Sequence, residues 1–459
     1  MEFRLTPRRV ALAAAAILIG CLYFANLSGT GLVSKDEPRY ADIARAMART
    51  GDWILPKLWG EPWFEKPPLL YWLGALGFSA RLGPELAPRL PVAVLSIAFL
   101  AFFWSRLRRI WNERVANFAV GMLATSAGWL AYSHVAVTDL PLAALFTAAV
   151  LFWIEGSTGW AAAALGCAVL AKSLVPLILF VSVLAVDFSR RKEWLRPKPF
   201  LIFFAVALPW HIVAYIRGGY EWFRVLFLEQ QFGRYFTPER QHVQPWWYYV
   251  PVLLLLLFPW FTLMPLALRG QRDRGAKILL AVCGFGFVFF SSGLNKLPGY
   301  VLPLVPALCA LIALGLDRAA EASRLVVLVV LLLGALPFAA AVVPQALGTK
   351  LSAVALPWRQ LVPWLVAAAI ISVILFFLPR NLAFPAAFGL AACGFLWFQF
   401  AVFPAIDQLA SARPVWLKTH PNCAPESDRG LEYGLNYYAG RALPPCGILN
   451  PARALLDSR

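Results

Sequence analysis

Long apolar runs constrain this chain more than any other feature of its sequence. Residues 10–25, 253–268 and 325–343 are apolar over nearly the length that a helix needs to cross the hydrocarbon core of a bilayer. Hydrophobic residues make up 60% of the 459 positions, which is more apolar surface than a soluble domain could bury. The sequence therefore predicts an all-α polytopic membrane protein.

Polar and basic segments divide the apolar residues into about thirteen predicted transmembrane helices. The predicted spans are residues 10–27, 88–104, 115–132, 140–154, 160–170, 174–186, 200–216, 250–268, 278–291, 302–316, 325–343, 361–378 and 382–403. Residues 63–80 mix charges, prolines and aromatic side chains. We expect them to form a surface-lying or re-entrant element.

The basic residues between the spans predict the orientation of the chain. The short loops 106–114, 189–198 and 269–277 are rich in arginine and lysine, and they fall on the same side as the basic N-terminus. Because cytoplasmic loops carry this excess, the N-terminus is predicted in the cytoplasm and the C-terminal tail outside. The net charge of +17 is spread over such loops, which favours anionic lipid over nucleic acid as a partner.

A charged island at residues 34–66 follows the first span. Asp36 and Glu37 favour a helix N-terminus, and Gly51 suits a helix end, so an amphipathic helix is predicted at about residues 38–49. Its apolar side chains recur at helical spacing: Tyr40, Ile43, Ala44 and Met47. Such a helix is expected to lie on the membrane surface.

The cysteines predict a single disulfide candidate. Those in apolar segments are read as small hydrophobic side chains: Cys21, Cys167, Cys283, Cys309 and Cys393. Cys423 and Cys446 lie in the polar tail and could form a bridge outside the cytoplasm. The cysteine spacings do not match a metal site.

Chemically reactive side chains gather on the outer side of the predicted membrane. Outer loops and outer ends of spans contain Asp36, Glu37, Glu65, Lys66, Asp139, Lys172, Arg234, His242, Asn295 and Lys296. Carboxylates beside fixed cations suit an anionic lipid-linked substrate, because cations hold a phosphate while a carboxylate takes a proton. The alternative is that these charged side chains only form ion pairs with one another or extend to the membrane interface. That alternative is weakest for Asp139, an acid within an apolar segment.

Several segments resemble one family of membrane enzymes. Within residues 1–315 they read, in order, KDEPRYADIARAM, GDWILPKLWGEPWFEKPPLLYWL, TDLPLAAL, LAKSLVPLIL, HVQPWWYYVPVLLLLLFPW and NKLPGYVLPLVPAL. They resemble the bacterial branch of the C-type, multi-spanning glycosyltransferases. This branch is similar to the aminoarabinose transferases of lipid A and related to the protein O-mannosyltransferases. The later residues match by topology alone.

The resemblance implies an inverting transferase that takes a sugar from a polyprenyl phosphate carrier, such as undecaprenyl phosphate. The acceptor would be lipid A, lipopolysaccharide, another glycan or a protein on the periplasmic face of the bacterial inner membrane. The implied roles are catalytic for Asp36, Glu65 and Asp139, donor-phosphate binding for Arg39, Lys66, Arg234 and Lys296, and supporting for Glu37, Tyr40, Lys172 and His242. Among these, Asp36 would be the general base.

The sequence departs from the family pattern at one place. Where the aminoarabinose transferases carry a Glu-His pair, this chain has Gln230 and Gln231. Neutral amides are poor zinc ligands, so we expect transfer that needs no tightly held divalent metal. A divalent metal is the alternative that the resemblance itself implies.

The expected organisation is a transmembrane glycosyltransferase domain over residues 1–404, with periplasmic loops at 33–80 and 217–248. Residues 405–459 would form a small periplasmic region, and the chain is expected to act as a monomer. A transporter or flippase, which would bind its substrate near the bilayer midplane, remains an alternative. So does a polysaccharide ligase, with key residues in a late loop. The charged residues of the first loop favour the transferase.

Overall fold

The computed structural model of the protein describes residues 7–194, 196–233, 235, 242–269, 273–319, 325–348 and 358–446. Its α-helices are α1 Pro7–Phe24, α2 Asp36–Thr50, α3 Leu69–Ser79, α4 Leu86–Ile110, α5 Glu113–Ala124, α6 Ala127–Ser133, α7 Asp139–Glu155, α8 Thr158–Lys172, α9 Val175–Val186, α10 Pro197–Phe223, α11 Tyr249–Leu256, α12 Arg274–Ser292, α13 Leu304–Arg318, α14 Val326–Leu333, α15 Leu336–Gly348, α16 Trp358–Phe377, α17 Arg380–Ala410, α18 Arg413–Thr419 and α19 Arg429–Ala439. Strands β1 Lys57–Leu58 and β2 Glu61–Pro62 pair antiparallel.

Shorter helical segments connect several of these elements. Segments of 3₁₀-helix cover Phe188–Glu193, Trp246–Tyr248, Trp260–Leu268 and Pro298–Val301. A π-helix, Arg224–Gly233, continues directly from α10. π-Helices are rare in proteins, and those that occur are often found at functional sites.

Several helices are suited to cross a membrane. Among the described residues, four helical segments are long and apolar enough to span on their own: Leu86–Ile110, Pro197–Gln231, Arg274–Ser292 and Arg380–Ala410. Pairs of helices bent by 61°, 115° and 54° raise the number to seven if each pair is one span. The protein is therefore helical and polytopic, as the composition predicts, while the count of thirteen spans stays a prediction.

The bent pairs correct three predicted spans, which were expected as single helices at residues 115–132, 250–268 and 325–343. The second of these breaks before Pro259, whose missing N–H cannot continue a helix ladder. In the first, Ser126 adopts an extended backbone, and the N–H of Ala127 donates to the carbonyl of Phe258 at 2.9 Å. The third, at 325–343, breaks between α14 and α15.

The chain forms two compact units: a central unit of residues 39–320, and a terminal unit of residues 1–38 and 321–459. In the central unit α8 packs against α7 and α10, and α13 packs against α5. The largest buried side chains there include Trp129, Trp153 and Trp260. This packing fixes the N-terminal end of α7 and the C-terminal end of α8, where the predicted site residues Asp139 and Lys172 lie.

In the terminal unit α1 packs against α17. The side-chain amide of Gln399 donates to the carbonyl of Leu22 at 2.9 Å, and the Asp407 carboxylate accepts a hydrogen bond from the N–H of Gly31 at 2.6 Å. α17 extends seven residues past the predicted end of its span, through Ala410. The predicted disulfide is confirmed: Cys423 and Cys446 are bridged, with their Cα atoms 5.0 Å apart.

The first loop contains the predicted amphipathic helix, with one correction. α2 begins at Asp36 and ends before Gly51, whose φ of 71° suits glycine. Its apolar face is buried in the protein, because the Tyr40 and Tyr71 rings lie 5.8 Å apart and Ala44 lies against Gly74 of α3. The expectation that this face rests on lipid is therefore wrong.

The segments around the two loops also differ from their predicted ends. α3 is too short to cross a bilayer, which agrees with the surface-lying or re-entrant element expected at residues 63–80. The predicted second loop at 217–248 starts too early, because α10 continues to Phe223 and the π-helix follows it. The basic loop predicted at 106–114 is likewise mostly helix, since α4 continues to Ile110.

Candidate active site

A cavity of about 310 Å³ lies in the central unit, beside the C-terminal ends of α8 and α12. Its apolar wall consists of Pro67, Leu142, Leu174, Val175, Ile178, Phe289 and Phe290. Its polar lining consists of Lys66, Lys172, Ser173, Gln230, Gln231, Tyr235, Asn295 and Tyr300. We call this space the amphipathic cavity, because it combines an apolar wall with buried cations.

Lys66 reaches the cavity from the first loop. The hairpin of β1 and β2 turns at Trp59 and Gly60, both with positive φ, as a two-residue hairpin turn requires. The chain then leads through Glu65 to Lys66, whose side chain is 7% exposed. A positive charge at the wall of a cavity suits an anionic ligand.

Arg39 of α2 lies beside the same segment. Its guanidinium is 3.5 Å from the Glu65 carboxylate and 5.3 Å from the centre of the Trp63 ring. The side chain is buried, so the carboxylate and the ring hold the guanidinium in one orientation. The structure thus brings together two of the predicted residues, one cation and one acid.

Asp139 and Lys172 form a second pair at the cavity. Asp139 begins α7 and Lys172 ends α8, and their charged atoms are 2.5 Å apart. The Lys172 ammonium also lies 4.6 Å from the centre of the Tyr300 ring. Gly299 packs closely against this pair, since a Cβ there would stand 2.7 Å from the carboxyl carbon of Asp139. Asp139 was predicted to be either paired or functional, and the structure confirms that it is paired.

Lys296 is buried but has different surroundings. Its ammonium donates to the carbonyls of Gln244 at 2.8 Å and Gly293 at 2.5 Å, and its N–H donates to the carbonyl of His242 at 3.0 Å. Burial lowers the pKa of Lys296. Its neighbour Asn295 lines the amphipathic cavity, whereas Lys296 is not among the lining residues.

Asp36 and Glu37 belong to the terminal unit by the division of the chain at residue 38. Glu37 is fully buried, and its carboxylate accepts a hydrogen bond from the N–H of Val33 at 2.8 Å. Asp36 is only partly buried, and its backbone N–H donates to the Ser34 hydroxyl at 3.3 Å. Of the two acids, Glu37 therefore closes the turn before α2, and Asp36 is the more accessible.

The phosphate ligand predicted at Arg234 lies outside the described residues. Gln230 and Gln231, at the end of the π-helix, line the amphipathic cavity with amide groups. Glu229 next to them is paired with Arg224. Within the described ranges, groups of three His, Cys, Asp or Glu side chains able to hold a metal do not occur. The donor set of the described residues therefore does not fit the metal that the family resemblance implies.

A second cavity, of about 460 Å³, is also lined by Gln230, together with Trp63, Glu65 and Glu229. Arg217 at its edge makes two hydrogen bonds to Asp52, at 2.7 and 2.8 Å. Residue patterns did not single out Tyr300, Ser173 or this second space. Tyr300 and Ser173 both lie in segments that carry the family resemblance, NKLPGYVLPLVPAL and LAKSLVPLIL, which is the signal that could have found them.

Three comparisons with known proteins support the resemblance. Residues 65–215 match the family model described as dolichyl-phosphate-mannose-protein mannosyltransferase. The undecaprenyl phosphate-alpha-4-amino-4-deoxy-L-arabinose arabinosyl transferase of Pectobacterium carotovorum is 32% identical over 338 residues, which cover 67% of this chain and 59% of the relative. The protein of the same name from Pseudomonas aeruginosa is 29% identical over 326 residues, covering 66% and 59%.

The fold also matches a solved structure. The crystal structure of ArnT from Cupriavidus metallidurans bound to undecaprenyl phosphate aligns with a TM-score of 0.76 at 22% identity, over 99% of this chain and 89% of that one. The chain spans about three fifths of the length of the curated relatives it matches. The chain is therefore similar in sequence to these aminoarabinose transferases, and it shares the fold of ArnT.

Proposed function

We propose that this chain is an integral-membrane glycosyltransferase that moves a sugar from a polyprenyl phosphate carrier, undecaprenyl phosphate, to an acceptor. The observation that carries the proposal is the amphipathic cavity. Its apolar wall suits a polyprenyl tail, and the buried ammonium of Lys66 suits the phosphate. The names of the curated relatives, which act on a sugar carried by undecaprenyl phosphate, support the same donor class.

The structure places three cations at or beside the amphipathic cavity. Lys66 faces the cavity, while the Asp139 carboxylate orients Lys172 and the Glu65 carboxylate orients Arg39. As the bond between sugar and phosphate breaks, the phosphate gains negative charge, and fixed cations stabilise that charge without reorganising. In this scheme the acids Glu65 and Asp139 position the cations.

The remaining predicted residues have supporting roles in the proposal. Tyr40 packs between α2 and α3 and steadies the first loop. The carbonyl of His242 anchors the backbone of Lys296. The Lys296 contacts favour a role in holding its loop, and its expected role as a phosphate ligand stays a prediction, as does that of Arg234.

The transfer itself needs a base. An acceptor hydroxyl attacks the anomeric carbon from the face opposite the phosphate, a new C–O bond forms, and the C–O bond to the phosphate breaks with its electrons leaving on the phosphate. The hydroxyl proton passes to the Asp36 carboxylate, and attack from the opposite face inverts the anomeric carbon. Asp36 is suited to this role because it is accessible and lies at the N-terminus of α2.

The acceptor is proposed to be lipid A, lipopolysaccharide, another glycan or a protein. The proposed location is the bacterial inner membrane, with about thirteen spans, the N-terminus in the cytoplasm and the site on the periplasmic face. Residues 405–459 would then be periplasmic, a compartment that permits the bridge between Cys423 and Cys446. The proposal treats the working protein as a monomer.

The test is a transfer assay with the purified full chain and undecaprenyl phosphate-linked sugars, read by mass spectrometry, beside the envelope glycolipids of a deletion strain. We expect a sugar-bearing acceptor that disappears on deletion, and free undecaprenyl phosphate as the second product. A flippase would instead move the sugar lipid between the leaflets of a vesicle without cleaving it. Movement without cleavage would refute the proposal, and a product in which a whole polysaccharide is transferred would favour a ligase.

A further inference from the structure

Ser173 lines the amphipathic cavity, and the roles above leave it unexplained. It caps the C-terminus of α8, directly after Lys172, and its side chain is 1% exposed. Among the residues that the structure describes, the Ser173 hydroxyl has no hydrogen-bond partner. A buried hydroxyl in this state is unfavourable unless something else that enters the cavity bonds to it.

The backbone of Ser173 is also unfavourable. Its φ of 54° and ψ of −129° lie in a region that glycine adopts easily and residues with a Cβ adopt rarely. Conformations of this kind persist where the surrounding structure enforces them, and they cluster at ligand-binding sites. A glycine would fit this backbone better than the serine does, so the side chain itself calls for an explanation.

The place of Ser173 along the cavity wall indicates what its hydroxyl would meet. On one side is Lys172, held by Asp139, and on the other are the apolar side chains of Leu174 and Val175. Along the chain, Ser173 therefore lies between a charged lining residue and two apolar ones. The polyprenyl tail of a donor has no hydrogen-bonding atoms, whereas its phosphate and its sugar both present oxygen atoms.

We propose that Ser173 is a substrate-binding residue whose hydroxyl donates a hydrogen bond to an oxygen atom in the head of the lipid-linked sugar phosphate. This inference rests on the proposed function, since it needs that class of donor. It adds a neutral hydrogen-bond donor to a site otherwise described by its charged side chains. The Ser173 hydroxyl finds a hydrogen-bond partner only when the lipid-linked sugar phosphate is bound.

The experiment measures binding of two probes to the full chain in detergent: undecaprenyl phosphate, and undecaprenyl phosphate-linked 4-amino-4-deoxy-L-arabinose. Ser173→Ala removes the hydroxyl and keeps the backbone strain, while Ser173→Gly removes both. We expect each variant to bind the sugar-carrying probe roughly tenfold more weakly, as the loss of one hydrogen bond predicts. Ser173→Gly should melt at or above the temperature of Ser173→Ala, because glycine relieves the strain.

The two probes identify the oxygen atom. Equal weakening for both probes places the hydrogen bond on the phosphate, and weakening for the sugar-carrying probe alone places it on the sugar. Both results support the inference. Ser126→Ala is the matched control, because Ser126 is equally buried but its hydroxyl donates to the carbonyl of Leu123 at 2.9 Å. Arg81→Gly is the control for strain, since Arg81 has a φ of 58° and does not line the cavity.

Three results would overturn the inference. The first is parental affinity of both Ser173 variants for both probes. The second is weakening in Ser173→Gly but not in Ser173→Ala, which would assign the effect to the backbone. The third is a parent chain that binds neither probe, which would overturn the proposed function and this inference with it, and which is distinguishable because the parent itself fails.

Discussion

Two buried polar clusters of the central unit differ in how many of their polar atoms are hydrogen-bonded within the protein. In the first, the Asp187 carboxylate accepts hydrogen bonds from the indole N–H of Trp153 at 2.8 Å and from two nitrogens of Arg274. The third guanidinium nitrogen donates to the carbonyl of Ile154 at 3.0 Å. The hydrogen bond to Arg274 holds the pKa of Asp187 below its usual range.

The second cluster surrounds the amphipathic cavity and the space beside Gln230. Among the described residues, the buried side-chain oxygen atoms of Ser173 and Gln230 there have no hydrogen-bond partner. The Gln230 side chain is 5% exposed and lies at both cavities. This cluster therefore has bonding capacity that the protein does not use.

The difference separates a structural role from a functional one. A cluster that pairs each of its own charges holds helix ends together and gains nothing from a ligand. A cluster whose buried oxygen atoms lack a hydrogen-bond partner carries a desolvation cost that a ligand can offset. We therefore expect substitutions in the Asp187 cluster to change stability, and those at the proposed active site to change activity first.

The largest effect is expected at the proposed base. Asp36→Asn keeps most of the capping ability of the side chain but removes the proton acceptor. Removal of a general base typically lowers rates by about a hundredfold to ten-thousandfold, so turnover should collapse while the protein inserts, folds and binds undecaprenyl phosphate. Single-turnover transfer and lipid binding measure the two properties separately. Transfer within about threefold of the parent would show that Asp36 is not the base.

A smaller loss is expected when a cation is removed from the cavity. Lys66→Met removes a buried ammonium, and affinity for undecaprenyl phosphate should fall roughly tenfold to a hundredfold, because charged hydrogen bonds to phosphate are the strong ones. The matched variant is Lys296→Met, whose ammonium is already bonded to carbonyls. We expect it to melt at a lower temperature and to keep its affinity within about threefold. Equal losses of affinity would place both ammonium groups on the phosphate.

The sequence predicts those parts of the first loop that local chemistry decides. The start and end of α2 agree with the prediction to within two residues, because the acids at its start and Gly51 at its end act on their own turns. The disulfide was the available pairing in the tail and is present. The residues of the apolar face of α2 are as predicted, but the face packs on α3 and not on lipid, since an apolar stripe does not distinguish protein from lipid.

Contacts between distant segments could not be predicted. The bend between α5 and α6 is fixed by the bond from Ala127 to the carbonyl of Phe258, and no local residue pattern encodes it. The same holds at the site. Motif spacing placed Asp139 and Lys172 at the outer ends of helices, but their contact with Tyr300 depends on how α7, α8 and the 3₁₀-helix pack. Roles that rest on the resemblance stay predictions.

A change in stability without a change in chemistry is expected in the Asp187 cluster. Arg274→Met leaves the buried Asp187 carboxylate with the Trp153 N–H and without its cation, a loss of about 1–3 kcal/mol. The melting temperature should fall by several degrees, while transfer at temperatures where the variant is folded stays near the parental rate. A rate that falls while the melting temperature holds would contradict the structural role of the cluster.

The smallest effect is expected at the exposed ion pair between Asp52 and Arg217. Hydrogen bonding to Arg217 lowers the pKa of Asp52 to about 2, against about 3.9 for an unfolded chain. Because the folded pKa is the lower one, the pair contributes stability above about pH 4 and loses it as the pH falls towards 2. Arg217 is 41% exposed, so solvent screens most of the interaction.

Asp52→Asn tests whether the hydrogen-bonded ion pair at the surface contributes as much stability as the hydrogen-bonded Asp187 cluster in the interior. At pH 7 the melting temperature should fall by about 1 °C or less, and between pH 4 and 2 the variant should lose less stability than the parent does. Melting curves of both proteins in detergent, taken across this pH range, measure the difference in slope. Parallel slopes would exclude Asp52 as the titrating group. A fall at pH 7 as large as that of Arg274→Met would show that burial does not separate the two pairs.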